Sequence, residues 1–162
     1  MAVSFNLDEI FEIAEQIERS GAKFYREAAQ KASDKAVQKM FVDLAAMEEG
    51  HLQIFREMRK QLGKDEQEQT TFDPDNEAAL YLQTMADEHG IEGKKDIETK
   101  LTGRETMKEI FETAIKAERN SIVFYTGLKQ MVSASGRGKL DDIITEEFGH
   151  LAVLKIELAK LS

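Results

Sequence analysis

The sequence predicts an all-α protein: an antiparallel four-helix bundle of two helical hairpins, joined by a long crossover that carries a short extra helix. Three observations lead there. The chain has one proline in 162 residues, and it is rich in Ala, Glu, Lys, Leu and Met, which favour helix. Apolar residues recur at alternating spacings of three and four along four long stretches. The chain also repeats itself: residues 9–25 (EIFEIAEQIERSGAKFY) and 109–125 (EIFETAIKAERNSIVFY) are identical at nine of seventeen positions.

The first helix is expected to start after Asn6, a good N-cap, and to run to about Lys31. The second starts near Ser33 or Asp34 and runs to about Leu62, where Gly63 stops it. The third runs from Thr102 or Arg104 to about Val132. The stretch SASGRG (133–138) reads as a loop, and the fourth helix runs from about Lys139 to the end. At 1.5 Å per residue each long helix spans roughly 35–45 Å. The short connections within each pair make antiparallel hairpins, 5–62 and 103–162, with a crossover over 63–102. Within the crossover, residues 75–89 read as a short amphipathic helix that packs through Leu80, Tyr81 and Met85. The whole of 1–162 is read as one domain, long enough for a real core.

The inward faces follow from the periodicity. Helix 1 presents Leu7, Phe11, Ala14, Glu18, Gly21, Tyr25 and Ala28. Helix 3 repeats this with Met107, Phe111, Ala114, Glu118, Ser121, Tyr125 and Leu128. Helix 2 gives Val37, Phe41, Leu44, Glu48, His51, Phe55, Met58 and Leu62. Helix 4 gives Leu140, Ile143, Glu147, His150 and Leu154, then shifts by one to Leu158 and Leu161. Every seam is apolar at both ends and carries Glu in the middle. In helices 2 and 4 a His follows the Glu by one turn, in the pattern E-x-x-H.

Four ionised carboxylates converging in one core layer repel, and each costs several kcal/mol when buried alone. Two divalent cations bring four positive charges against them, and two neutral imidazoles complete the ligand shell. The order E, E-x-x-H, E, E-x-x-H is what a bundle uses to hold two metals. Residues i and i+3 share a helix face, which is why the spacing works. Glu48 and Glu147 are placed to bridge the ions, His51 and His150 to bind one each, and Glu18 and Glu118 to close the ends. Carboxylate oxygen with imidazole nitrogen suits iron or manganese, with zinc also accommodated. Tyr25 and Tyr125 lie seven residues after their Glu, roughly 10 Å along the axis. They are placed to donate to a ligand carboxylate on a neighbouring helix, or else to act as ordinary buried tyrosines. Gly21 and Ser121 leave room beside the metals or allow close helix approach. Glu15, one turn before Glu18, is a candidate seventh ligand or an exposed helix Glu, the latter favoured. His89 reads as a residue at the end of the crossover helix, outside the ligand pattern.

Composition excludes other chemistries. The formal net charge of −9 argues against nucleic acid as a main partner. With no cysteine there is no disulfide framework, zinc–thiolate site or iron–sulfur cluster. No apolar run approaches membrane-spanning length, and no signal peptide is evident, so a cytoplasmic protein is the default expectation.

Taken as a set, Glu18…Tyr25, Glu48-x-x-His51, Glu118…Tyr125 and Glu147-x-x-His150 resemble the rubrerythrin branch of the ferritin-like superfamily, over roughly 5–62 and 104–160. The resemblance implies a ferritin-like bundle with a carboxylate-bridged pair of iron ions, assembled as a homodimer or higher oligomer. It also implies reduction of hydrogen peroxide with electrons from a rubredoxin-type centre. Two departures matter. Better-known members carry a cysteine-ligated rubredoxin domain, so here the electron donor is expected to be a separate protein. They also carry an additional Glu one turn from the helix-3 Glu, where this chain has Ile115 and Ser121. The leading expectation is a di-iron oxidoreductase acting on peroxide or dioxygen, with manganese or a mixed pair as other metals. Two other classes stay open: non-catalytic iron binding or oxidation for sequestration, and a scaffold that keeps a metal for stability.

Overall fold

The computed structural model describes residues 6–63 and 101–161. The described residues form four helices: α1 (Leu7–Lys31), α2 (Lys35–Lys60), α3 (Met107–Lys129) and α4 (Ala134–Lys160). The crossover helix expected over 75–89, and His89 with it, lie outside the described residues. Helices α1 and α2 pack as one hairpin and α3 and α4 as the other. Helix α1 also lies beside α3, and α2 beside α4, which closes a four-helix bundle.

The starts of α1 and α3 repeat one device. Asn6 accepts from the Glu9 amide at 2.8 Å while Glu9 returns a bond to the Asn6 amide at 3.1 Å. Thr106 and Glu109 do the same in α3. These reciprocal bonds satisfy donors that a helix start leaves orphaned. In α2, Asp34 takes both the Ala36 and Val37 amides.

Four helix boundaries differ from the sequence expectation. Helix α3 starts at Met107 rather than at Thr102 or Arg104 and ends at Lys129 rather than Val132. Before it, Glu105 folds back onto Thr102 and Gly103, with Gly103 at φ 93°, so this stretch is a tight turn. The larger correction is at 133–138. SASGRG is not a loop: α4 begins at Ala134, not Lys139, with Ser133 as its N-cap residue. Gly136 explains the extension. A Cβ there would stand 3.1 Å from Val132 Cβ and 3.3 Å from Met58 Cε, so its bare backbone lets the first turn of α4 close onto the core. Tertiary packing outweighs the poor helix propensity of Gly and Ser. At the other end, α2 stops at Lys60, two residues before Leu62.

The seams lie inward, with one exception: Leu161, the C-cap residue just past the end of α4, is 49% exposed. The buried face is also wider than the seams. Ile10, Phe24, Ile110 and Phe124, each just before a seam residue, are 0–3% exposed. Two apolar clusters result. One gathers Phe11, Phe55, Phe124, Tyr125, Leu128 and Leu140. The other gathers Phe24, Tyr25, Phe41, Phe111 and Leu154. Each fully buried Phe or Leu contributes about 1.5–3 kcal/mol, and the two clusters bracket a polar layer.

Candidate metal centre

The polar layer holds the six seam residues named above. Glu18, Glu48, His51, Glu118, Glu147 and His150 are all 0–4% exposed. They form two overlapping groups: Glu18, Glu48, His51 and Glu147, and Glu48, Glu118, Glu147 and His150. Within each group one donor atom per residue lies within 4.8 Å of all the others. Glu48 and Glu147 belong to both groups, the bridging positions; Glu18 and Glu118 belong to one each.

Both histidines turn Nδ1 inward. His51 Nδ1 is 3.0 Å from Glu147 Oε1 and 3.5 Å from Glu18 Oε2. His150 Nδ1 is 3.1 Å from Glu48 Oε1 and 3.4 Å from Glu147 Oε2. These contacts are close but not aligned as hydrogen bonds. Glu18 Oε2, Glu48 Oε1, both Glu147 oxygens and both Nδ1 atoms are buried without a hydrogen-bond partner. Six orphaned polar atoms in one layer of an otherwise well-paired interior are a strong anomaly. The residues that carry them are among those whose donor atoms cluster within 4.8 Å, close enough to share an ion. An all-oxygen-and-nitrogen donor set fits iron, manganese or zinc.

The protonation pattern of the metal-free centre sorts the carboxylates by role. Burial pushes Glu18 and Glu118 well above the ordinary carboxylate range, helped by charge repulsion from Glu48 and Glu147. Burial acts on Glu48 and Glu147 in the same direction, and Glu147 repels Glu48. Contacts with Glu18 or Glu118 and with both histidines outweigh this and hold both below the ordinary range. Burial alone would lower the histidines, but the carboxylates around them raise both, His150 to about 12. In the metal-free centre these shifts favour the charged form of the imidazoles and of Glu48 and Glu147, and the protonated form of Glu18 and Glu118.

The two tyrosines cross between the hairpins. The Tyr25 hydroxyl of α1 donates to Glu118 Oε1 of α3, and the Tyr125 hydroxyl of α3 donates to Glu18 Oε1 of α1. Each tyrosine thus holds the terminal carboxylate of the other half. Burial and the nearby carboxylates push both phenols well above their usual range, so they stay donors. Beside the site, a Cβ on Gly21 would meet Glu48 at 3.5 Å, ordinary contact, so the position has room for a methyl group and the close approach does not depend on glycine. Ser121 turns its hydroxyl to the Ala117 carbonyl at 3.1 Å.

Glu15 joins neither group, and it is not exposed either. It is 9% exposed and lies 3.5 Å from the Arg59 guanidinium. Arg59 also forms a two-pronged bond to Asp8, at 2.7 and 2.9 Å. The exposed reading missed this because Arg59 comes from the next helix. Two further residues escaped the sequence reading: Glu146 and Met47 stand behind the histidines, at 2.7 Å from His51 Nε2 and 3.3 Å from His150 Nε2. Their signal was present, since each immediately precedes the Glu of an E-x-x-H.

A four-helix bundle whose central layer offers two overlapping carboxylate–histidine groups defines a ferritin-like, di-metal carboxylate protein. The match to known families agrees. The chain belongs to the rubrerythrin family, whose model matches residues 9–158. Among solved structures it is similar to a Thermotoga maritima protein assigned as a ferritin-like diiron-carboxylate protein. That structure shares 26% identity at a TM-score of 0.72, over 98% of each chain. A hypothetical protein from Pyrococcus furiosus shares the fold, with 21% identity and a TM-score of 0.69 over 96% of this chain and 89% of that one. No curated protein matches. No described helix is long and apolar enough to cross a membrane.

Proposed function

We propose that this protein is a di-iron oxidoreductase that reduces hydrogen peroxide, or dioxygen, with electrons from a separate donor. The observation that carries the reading is the set of six partnerless donor atoms in one buried layer, whose shifted pKa values favour protons where cations would sit. Such a layer is suited to exchange protons for two divalent cations. A bound iron pair supplies two electrons and Lewis acidity, which matches the need of O–O cleavage in peroxide: H2O2 takes two electrons and two protons to give two waters. The chain's own residues do the rest. Glu48 and Glu147 set the spacing of the pair, and Tyr25 and Tyr125 orient Glu118 and Glu18. Glu18 and Glu118 would close the two ends of the pair as carboxylates, and the two protons that the waters need come from solvent. A groove of about 480 Å³ between α2 and α4, lined by Met40, Met47, Gly149 and Val153, reaches His150 and admits a small oxidant. No cysteine in these residues can hold a rubredoxin-type iron, so electrons arrive from another centre, a rubredoxin being the natural class. We also propose a cytoplasmic homodimer as the working form.

The test is anaerobic loading with ferrous iron, then addition of stoichiometric peroxide or air, followed by near-ultraviolet absorption of the oxidised pair. Fast oxidation that prefers peroxide, with rereduction by a rubredoxin, supports the enzyme. Oxidation by air with iron uptake continuing beyond two per chain means sequestration instead. No response to either oxidant ends both redox readings.

A further inference from the structure

The ligands of the two halves match, but the atoms behind the histidines do not. His51 Nε2 faces a carboxylate, Glu146 Oε2 at 2.7 Å; His150 Nε2 faces a thioether, Met47 Sδ at 3.3 Å. Glu146 and Met47 occupy equivalent places, each just before the bridging Glu and each reaching the histidine of the other hairpin. The two rings lie nearly parallel, with centroids 5.8 Å apart and a 23° tilt, so their Nδ1 atoms serve the layer in the same way.

A neutral imidazole that gives Nδ1 to a metal keeps its proton on Nε2. What accepts that proton sets how strongly the ring donates. A carboxylate makes a charge-assisted bond and raises the basicity of the ring. A thioether is a weak acceptor and adds little. We propose that Glu146 and Met47 are positioning residues that make the two metal sites unequal: the His51 site binds its ion more tightly and fills first, and the His150 site is the weaker, exchangeable one. This rests on the reading that the six residues hold two ions.

The test titrates the metal-free full-length chain with cobalt(II), anaerobically, by calorimetry and by visible d–d absorption. Wild type is expected to bind two ions in separate steps. The first ion repels the second in any case, so the variants carry the decision. Glu146 is half exposed and Met47 is 38% exposed, so both can be changed without opening the core. Glu146→Met should weaken the first step by about 10–100-fold and bring the steps together, as expected for losing such a partner. Met47→Glu should tighten the second step by a similar factor. Glu146→Gln, an acceptor without charge, should fall between wild type and Glu146→Met. Two ions bound with the first step unmoved in Glu146→Met overturns the proposal and leaves the metal centre standing. Failure of wild type to bind two ions overturns both.

Discussion

Replacing Tyr125 with Phe removes one oxygen and leaves the ring where it is. The ring is fully buried and packs against Phe55 at 5.0 Å and Phe124 at 5.8 Å, contacts that Phe keeps, so no cavity opens. What is lost is the donor to Glu18 Oε1, on a carboxylate whose other oxygen already lacks a partner. The size of the loss depends on the state of the centre. In the metal-free protein Glu18 keeps a proton, so the bond is between neutral groups and costs about 1 kcal/mol. With metal bound Glu18 is ionised, and losing a bond to a charged group costs about 1.5–3 kcal/mol. The excess, about 0.5–2 kcal/mol, should appear as metal binding weaker by about 2- to 30-fold, since each tenfold is about 1.4 kcal/mol. Urea unfolding of wild type and Tyr125→Phe, with and without saturating metal, separates the two. An equal loss in both states would refute the reasoning, because the hydroxyl would then serve packing and not the ligand. Tyr25→Phe should reproduce the pattern through Glu118.

Three other outcomes follow from the same geometry. Loading two divalent ions near neutral pH should release about four protons per chain, one each from Glu18, Glu118, His51 and His150; calorimetry in buffers of different ionisation enthalpy counts them, and release near zero contradicts that protonation pattern. The raised His150 stabilises the metal-free fold fully below 6.5, and that contribution is lost as pH rises toward about 12, so the melting temperature of metal-free protein should fall from pH 7 to 9. A rise over that range would contradict the assignment. Glu15→Gln should leave two ions per chain by metal analysis, because Glu15 faces Arg59 and not the centre; fewer ions would restore Glu15 as a ligand.

The centre was legible in the sequence because its logic is periodic. Glu18, Glu48, Glu118 and Glu147 occupy seam positions at spacings of three and four, and a helix turns such spacings into one face. The duplication of the tyrosines pointed to a shared role, and the crossed bonds to Glu118 and Glu18 give that role its geometry. What the sequence hid was decided by contacts between helices. Nothing local to Glu15 announces Arg59, 44 positions later. The start of α4 was hidden because Gly136 reads as a helix breaker until Val132 and Met58 are seen pressing on its bare Cα. The partners of the outer histidine nitrogens were half legible: aligning MEEGH (47–51) with EEFGH (146–150) pairs Met47 with Glu146, but only the fold shows that each reaches the opposite histidine.

The sharing of Glu48 and Glu147 between both groups has a consequence for how the protein comes apart. Each group draws ligands from both hairpins, so a bound metal pair would act as a clasp between two units that the apolar clusters already join. The clasp closes the long segment between α2 and α3 into a ring, as a disulfide would, but reversibly. Parting α1 from α3 and α2 from α4 would break both ion sites and pull apart both apolar clusters. Metal release that needs this parting should then be as slow as the opening of the core itself.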